Sequence, residues 1–219
     1  MNETFKKKLL IIGASGHGKV VADIALKMKK WSHIAFLDDD ESLKQSLGLD
    51  VIGTSKDTDE YINDWDFFVA IGSNSTREKI QVNLNSKGAT IPILIHPHAI
   101  IGEEVEIASG TVVMAGAIIN SSTKIGEGCI INTAASVDHD NLIEDFVHIS
   151  PGVRLAGTVK VGHGSWVGIG SVVSNNKEIA ACTILGAGAL VVKDIIESGV
   201  YVGVPVRRVS YVKDSNFSE

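Results

Sequence analysis

Only two cysteines, Cys129 and Cys182, occur in the 219 residues. They are too few for a disulfide framework and have no metal-like partner nearby, so both are expected as reduced, semi-buried small residues. Positive charge is scarce as well. The net charge is −6 with a pI near 5.6, and no Lys or Arg run exceeds the KKK at 6–8. A phosphate-backbone-binding surface is therefore not expected, and neither is nucleic acid as a partner. Long apolar runs are missing too. The basic N-terminus leads into only about five apolar residues before Gly13, too few for a signal peptide, and no stretch approaches a membrane span. The expected location is cytoplasmic. At this length two domains, each with its own core, are the natural division.

What is present falls into two patterns. Residues 8–95 alternate apolar runs (KLLIIG, HIAFLDD, DVIGT, DFFVAIG, IPILI) with helical segments. In KVVADIALKMKK the spacing places Val20, Val21, Ile24, Ala25 and Met28 on one face, and STREKIQVNLNSKG also has helical character. Strands alternating with amphipathic helices indicate a parallel sheet flanked by helices, a Rossmann-like α/β domain over residues 1–94. From Ile95 to Val191 every sixth residue is Ile, Leu or Val. Four residues after each of these the side chain is mostly small or β-branched, with Asn141 and Lys177 as exceptions. A period of six fits neither an α-helix nor a hairpin array. It indicates a stacked β-solenoid over residues 95–219, in which each coil covers the apolar stack and the open edge of the one before.

The segment LLIIGASGHGKVVADIA is expected to form strand, glycine-rich turn and helix. Gly13, Gly16 and Gly18 permit a sharp turn, and amides around Ser15, Gly16 and His17 can face a polar or anionic ligand at the helix start. The spacing G-x-x-G-x-G departs from the dinucleotide fingerprint, which argues against NAD. Asp38 and Asp39 follow the next apolar run, and Gly72, Ser73 and Asn74 follow another. All three loops belong at the carboxyl edge of a parallel sheet, where such folds bind ligands. They are the candidate nucleotide-sugar site; the structural alternative is that the aspartates only cap the segment that follows them.

In the solenoid, SVDHDNLIEDFVHISPG places His139 between Asp138 and Asp140, with His148 nine residues on. On an eighteen-residue coil His139 stacks between Ser121 and Gly157, and His148 between Ile130 and Trp166. A carboxylate beside an imidazole fixes its tautomer and raises its basicity, as a general base requires.

The hexad pattern resembles the repeat of left-handed parallel β-helix acyltransferases. With IIGASGHGKVV, NTAASVDHDNLIEDFVHISPGVRLAGTVKVG and the ending GVYVGVPVRRV, nearly the whole chain is similar to the sugar acetyltransferases of the PglD/NeuD family. The resemblance implies a left-handed β-helix, acetyl-CoA as co-substrate without a metal, and a homotrimer whose acetyl-CoA groove lies between two solenoids. It implies transfer to a nucleotide-activated amino sugar of the UDP-4-amino-sugar type, or to a sialic acid hydroxyl as in the NeuD branch. By the same resemblance His139 is the general base supported by Asp140, where some relatives have glutamate, and Asp138 is a substitute. His148 lies beside the acetyl group. Gly157, Ile169, Gly170, Gly186, Val204 and Pro205 line the acetyl-CoA site, and Arg207, with Arg208 beside it, is placed to meet CoA phosphates. Two readings of other classes remain: a zinc enzyme using His139, His148 and His163, whose hexad positions put them on different faces, and a non-catalytic sugar-nucleotide-binding protein.

Overall fold

The structure, a computed structural model, describes residues 7–210. The N-terminal unit is a five-stranded sheet of order β3-β4-β2-β1-β5. Its elements are β1 (Lys8–Ile12), α1 (Gly16–Met28), β2 (His33–Leu37), β3 (Gln45–Ser46), β4 (Leu49–Gly53), α2 (Thr58–Tyr61), β5 (Trp65–Val69) and α3 (Asn74–Ser86). All pairings are parallel except β3 with β4. Strand β1 is flanked by β2 and β5, so the chain departs from it in both directions and the loop after it lies at the switch point of the sheet.

Three details depart from the periodicity. Val20 is 42 % exposed, whereas Gly18, Val21, Ala22, Ile24 and Ala25 are buried. The stripe is rotated because α1 is covered on two sides, by its own sheet and by the solenoid. The β3 hairpin strand, too short to show a period, is additional. Of IPILI only Leu94–Ile95 is a strand, β6, and it belongs to the solenoid rather than to the sheet.

From β6 to β22 (Leu190–Val191) the chain forms two-residue strands in three parallel sheets. Each strand pairs with the one eighteen residues later, as Ile130 with His148 and His148 with Trp166. Face one runs from β7 (Ile100–Ile101) to β22, face two from β8 (Glu106–Ile107) to β20 (Glu178–Ile179), and face three from β6 through β21 (Ile184–Leu185). Face three is extended by β23 (Val200–Val202) and the antiparallel β24 (Arg207–Ser210). This is the left-handed parallel β-helix. The sixth-residue aliphatics fill its interior: Ile119, Ile131, Val137, Ile143, Ile149, Val161 and Val173 are fully buried in one core. Corners turn through residues of positive φ, among them Asp140 at 56°. Of the cysteines, Cys129 is fully buried inside the coil and Cys182 is exposed at a corner.

The two units share a core. Leu94, Val112, Met114 and Ile130 on face three pack with Leu9, Val21, Ile24 and Phe36. At the carboxyl edge of the sheet, Asn74 and Arg77 donate to carbonyls on the coils, among them Phe146 beside His148.

Candidate active site

His139 lies in the corner between β13 (Ser136–Val137, face one) and β14 (Leu142–Ile143, face two). The left-handed backbone of Asp140, a conformation Asp tolerates better than most residues, turns this corner. It brings the carboxylate to 2.7 Å from His139 Nδ1. Asp138 supports the loop from the other side, accepting from the His139 amide (3.0 Å) and from Asn120 Nδ2 (2.8 Å). Asp140 is therefore the partner of the ring and Asp138 a brace for its backbone. The hydrogen bond to Asp140, with the charges of both aspartates, raises the His139 pKa above the ordinary imidazole value. Nδ1 is occupied, so Nε2 is the nitrogen available to a substrate, and the side chain is 58 % exposed. The ring lies over Gly157: a Cβ there would stand 2.5 Å from Cε1 and Nε2. Glycine is what lets the imidazole cover this spot.

His148 is in a different place. It starts β15 (His148–Ile149) on face three, between Ile130 and Trp166, and only 8 % of it is exposed. Its ring is tilted against Trp166 at 4.9 Å between centroids. Asn132 Oδ1 accepts from the Thr133 amide (2.8 Å), so its Nδ2 faces His148 Nε2 at 3.1 Å as a donor. Nε2 is then the acceptor and Nδ1 carries the proton. That Nδ1–H is buried and has no protein partner. Burial, with the charges of Arg77 and His17, lowers the His148 pKa to about 3. His148 is a neutral imidazole at physiological pH, suited to donating a hydrogen bond rather than taking a proton.

Within one chain the two histidines do not converge, since the corner between faces one and two is opposite face three. The residues expected around acetyl-CoA divide in the same way. Gly157 is beside His139, while Ile169, Gly170 and Gly186 follow β18 (Trp166–Val167) and β21, where face three turns towards face one. Val204 and Pro205 are in the exposed turn between β23 and β24, next to the exposed Arg207. Arg208 is paired with Glu197.

The α/β edge brings its three loops together. Gly13 adopts a φ of +98°, and Gly18 packs so closely on the Gly13 carbonyl that no side chain fits. Gly16 has open space around it, and Ser15, at the N-cap of α1, makes no capping side-chain bond. Asp38 fixes this loop, accepting from the Ala14 amide at 2.7 Å, and Asp39 accepts from the Ser55 amide and hydroxyl. Both carboxylates thus brace loops elsewhere on this edge rather than only capping the segment that follows them, where Asp38 Oδ1 also accepts from the Asp40 amide. Ser73 caps α3 through Thr76 N. Asn74 is committed to the solenoid, donating to the carbonyls of Gly164 and Ser165.

Arg77 was not among the residues expected from the sequence. This side chain, 1 % exposed, donates to Gly128 O (2.6 Å) and Phe146 O (3.2 Å) on the coils. It also donates to Ile71 O, Gly72 O and Asn74 Oδ1 on its own domain. It ties the end of β5 to the coil that carries His148. Burial, with the nearby Arg77 charge, lowers the His17 pKa to about 4. The signal was a charged residue at a helix position facing inward. Among the described residues no group of three or more His, Cys, Asp and Glu is placed to hold a metal ion. His163 instead faces Glu78 of α3 at 3.4 Å. No described helix is long and apolar enough to cross a membrane.

Comparison with known proteins agrees with this architecture. A family profile described as the PglD N-terminal domain matches residues 8–84. The acetyltransferase domain of PglB from Neisseria gonorrhoeae, solved with acetyl coenzyme A, superposes with a TM-score of 0.91 at 38 % identity, over 93 % of this chain and 100 % of that one. PerB from Caulobacter crescentus, solved with CoA and GDP-perosamine, superposes with a TM-score of 0.88 at 35 % identity, over 93 % and 97 %. UDP-N-acetylbacillosamine N-acetyltransferase of Bacillus subtilis is 38 % identical over 112 residues, 50 % of this chain and 52 % of that one. With a glycine-rich α/β edge, a β-helix of eighteen-residue coils and an imidazole–carboxylate pair at one corner, and with full-length similarity well above the level that shows fold alone, this chain belongs to the PglD/NeuD-type family of acetyl-CoA-dependent sugar acetyltransferases.

Proposed function

We propose that this protein transfers the acetyl group of acetyl-CoA to the amino group of a nucleotide-activated 4-amino sugar of the UDP-linked type, with His139 as general base. The observation that carries the assignment is the His139 Nδ1 to Asp140 contact of 2.7 Å beneath an exposed ring. Asp140 holds the proton on Nδ1 and leaves Nε2 to act. The neutral amine attacks the thioester carbon while His139 Nε2 removes its proton, and the same proton passes to the departing CoA thiolate. The neutral His148, with its unpartnered Nδ1–H, suits the acetyl carbonyl, whose oxygen gains charge in the transition state.

Because one chain places these groups on opposite sides, the reading includes a homotrimer in which the His139 corner of one protomer meets the His148 side of the next. Exposed apolar residues on face one, Ile100 at 59 % and Val172 at 42 %, support burial of that face between copies. The glycine-rich loop with Ser15, Gly16 and His17, and the neighbouring loops at Asp38 and Gly72, take the nucleotide sugar. Ile169, Gly170, Gly186, Val204, Pro205 and Arg207 take the CoA arm.

The test is thiol release from acetyl-CoA with a panel of UDP-, GDP- and CMP-linked amino and hydroxy sugars, for wild type and His139→Ala. Turnover is expected with UDP-4-amino sugars, and the variant is expected to lose about 10²- to 10⁴-fold in kcat with binding little changed. Near-normal turnover of His139→Ala, or preference for a hydroxyl acceptor, would refute it.

A further inference from the structure

Asn141 and Lys177 both interrupt the small-residue column at the His139 corner, but it is Asn141 that is buried inside the coil, at 2 % exposure. Other corners show what that column does when it carries a hydroxyl. Thr111 Oγ1 donates to Gly126 O (2.7 Å) and accepts from Cys129 N (2.9 Å), joining one coil to the next. Thr123 does the same with Asp138 O and Asn141 N, and Ser165 with Ala180 O and Thr183 N. Asn141 makes both of these inter-coil bonds, to Ala156 O (3.1 Å) and from Val159 N (2.8 Å). It then does something the hydroxyls do not. Its Nδ2 reaches back to its own corner, to Asp138 O at 2.6 Å and His139 O at 3.4 Å. A carboxamide has two donor hydrogens and an acceptor on one planar group, so it can serve the stack and the corner at once.

We propose that Asn141 is a positioning residue for the general base: from inside the coil its amide adds to the bonds that Thr123 Oγ1 makes to Asp138 O (2.8 Å) and the Thr158 amide makes to His139 O (2.9 Å), and so sets the direction in which the His139 ring leaves the corner. This rests on the assignment of His139 as the base. The ring itself has little else to hold it, since it is more than half exposed and meets the chain at Asp140 and over Gly157. Its aim therefore depends on the backbone of residues 138–140, which already adopts a left-handed φ at Asp140. The charged groups facing the ring are Asp138 and Asp140, both on that same segment, so a shift of the segment alters orientation and basicity together.

The column supplies its own control. Asn141→Thr keeps a hydroxyl where Thr111 and Thr123 show that one joins the coils, and removes only the bonds to Asp138 O and His139 O. The expected result is a normal thermal midpoint, unchanged KM for both substrates and a kcat lower by about 10-fold to 10²-fold, the scale of a misaimed catalytic group. The acidic limb of the kcat profile should also move to lower pH as His139 loses part of its pairing with Asp140. Asn141→Asp, which places a carboxylate against the carbonyl oxygens of Asp138, His139 and Ala156, should be worse than Asn141→Thr on kcat. Normal kcat with an unshifted limb in Asn141→Thr would show that Asn141 serves coil stacking alone and would overturn the proposal. Loss of folding in that variant would overturn it too, because a hydroxyl would then be unable to replace the amide in the stack. His139→Ala, assayed in parallel, separates this from the parent assignment: if that variant is also fully active, the base itself is misassigned.

Discussion

Replacing Gly157 with alanine tests the geometry of the base without touching it. Gly157 lies outside the left-handed region, so alanine fits its backbone. Its Cβ would stand 2.5 Å from His139 Cε1 and Nε2 and 3.1 Å from Nδ1. Carbon contacts are comfortable at about 3.5–4.0 Å, so the imidazole must retreat by roughly 1 Å. The ring is exposed and, among the described residues, its side-chain hydrogen bond is the one to Asp140, so it swings aside rather than straining the coil. Stability should change by no more than about 0.5 kcal/mol, as for ordinary surface substitutions. The chemistry should suffer far more. A displacement of that size costs on the order of 10² in rate, or about 2.7 kcal/mol of transition-state stabilisation. Steady-state kinetics with thiol release, beside a thermal melt, should show a kcat reduced by about 10² at an unchanged melting midpoint. The KM for the nucleotide sugar should hold, because that ligand is assigned to the α/β edge. A Gly157→Ala enzyme with wild-type kcat would mean that the position of the His139 ring over this glycine has no part in catalysis.

Arg77→Met keeps the side-chain volume but leaves the buried carbonyls of Gly128 and Phe146 without this donor. A loss of about 3 kcal/mol or more is expected, seen as a fall of roughly 6–12 °C in melting temperature; an unchanged melt would show that the domain seam does not depend on it. Acid should destabilise the fold through two buried imidazoles. His148 and His17 have pKa values lowered to about 3 and about 4, so the unfolded chain binds more protons than the folded one between those values and about 6.5. Stability from this source is complete above about pH 6.5 and is lost as pH falls towards about 4 for His17 and about 3 for His148. Urea titrations across that range should show uptake of up to about two protons on unfolding, reduced by about one in His148→Gln; identical slopes would refute the burial of His148 as the cause.

The two-domain architecture was legible in the sequence because both patterns are local in origin. A period of six can be satisfied only by a chain that stacks on itself, and the buried Ile119, Ile131 and Val137 follow it without a slip. The glycine spacing likewise announced a sharp turn after the first strand, where Gly13 takes a φ of +98°; the close approach of Gly18 to the Gly13 carbonyl came only with the structure. Stacking arithmetic even placed His148 between Ile130 and Trp166. The sequence could not reveal which face of the solenoid the first domain covers. That choice puts His148 in a seam beside Arg77 and leaves His139 on the opposite corner, and it depends on contacts between residues far apart in the chain, such as Arg77 with Phe146. Nor could spacing separate the roles of Asp138 and Asp140, which differ only in backbone conformation: a left-handed φ turns one carboxylate onto the ring and leaves the other bracing the loop. Asn141 appeared in the sequence as a break in a pattern. Only the stacked coils, which bring Ala156 and Val159 to one side of its amide and Asp138 to the other, show why the break is there.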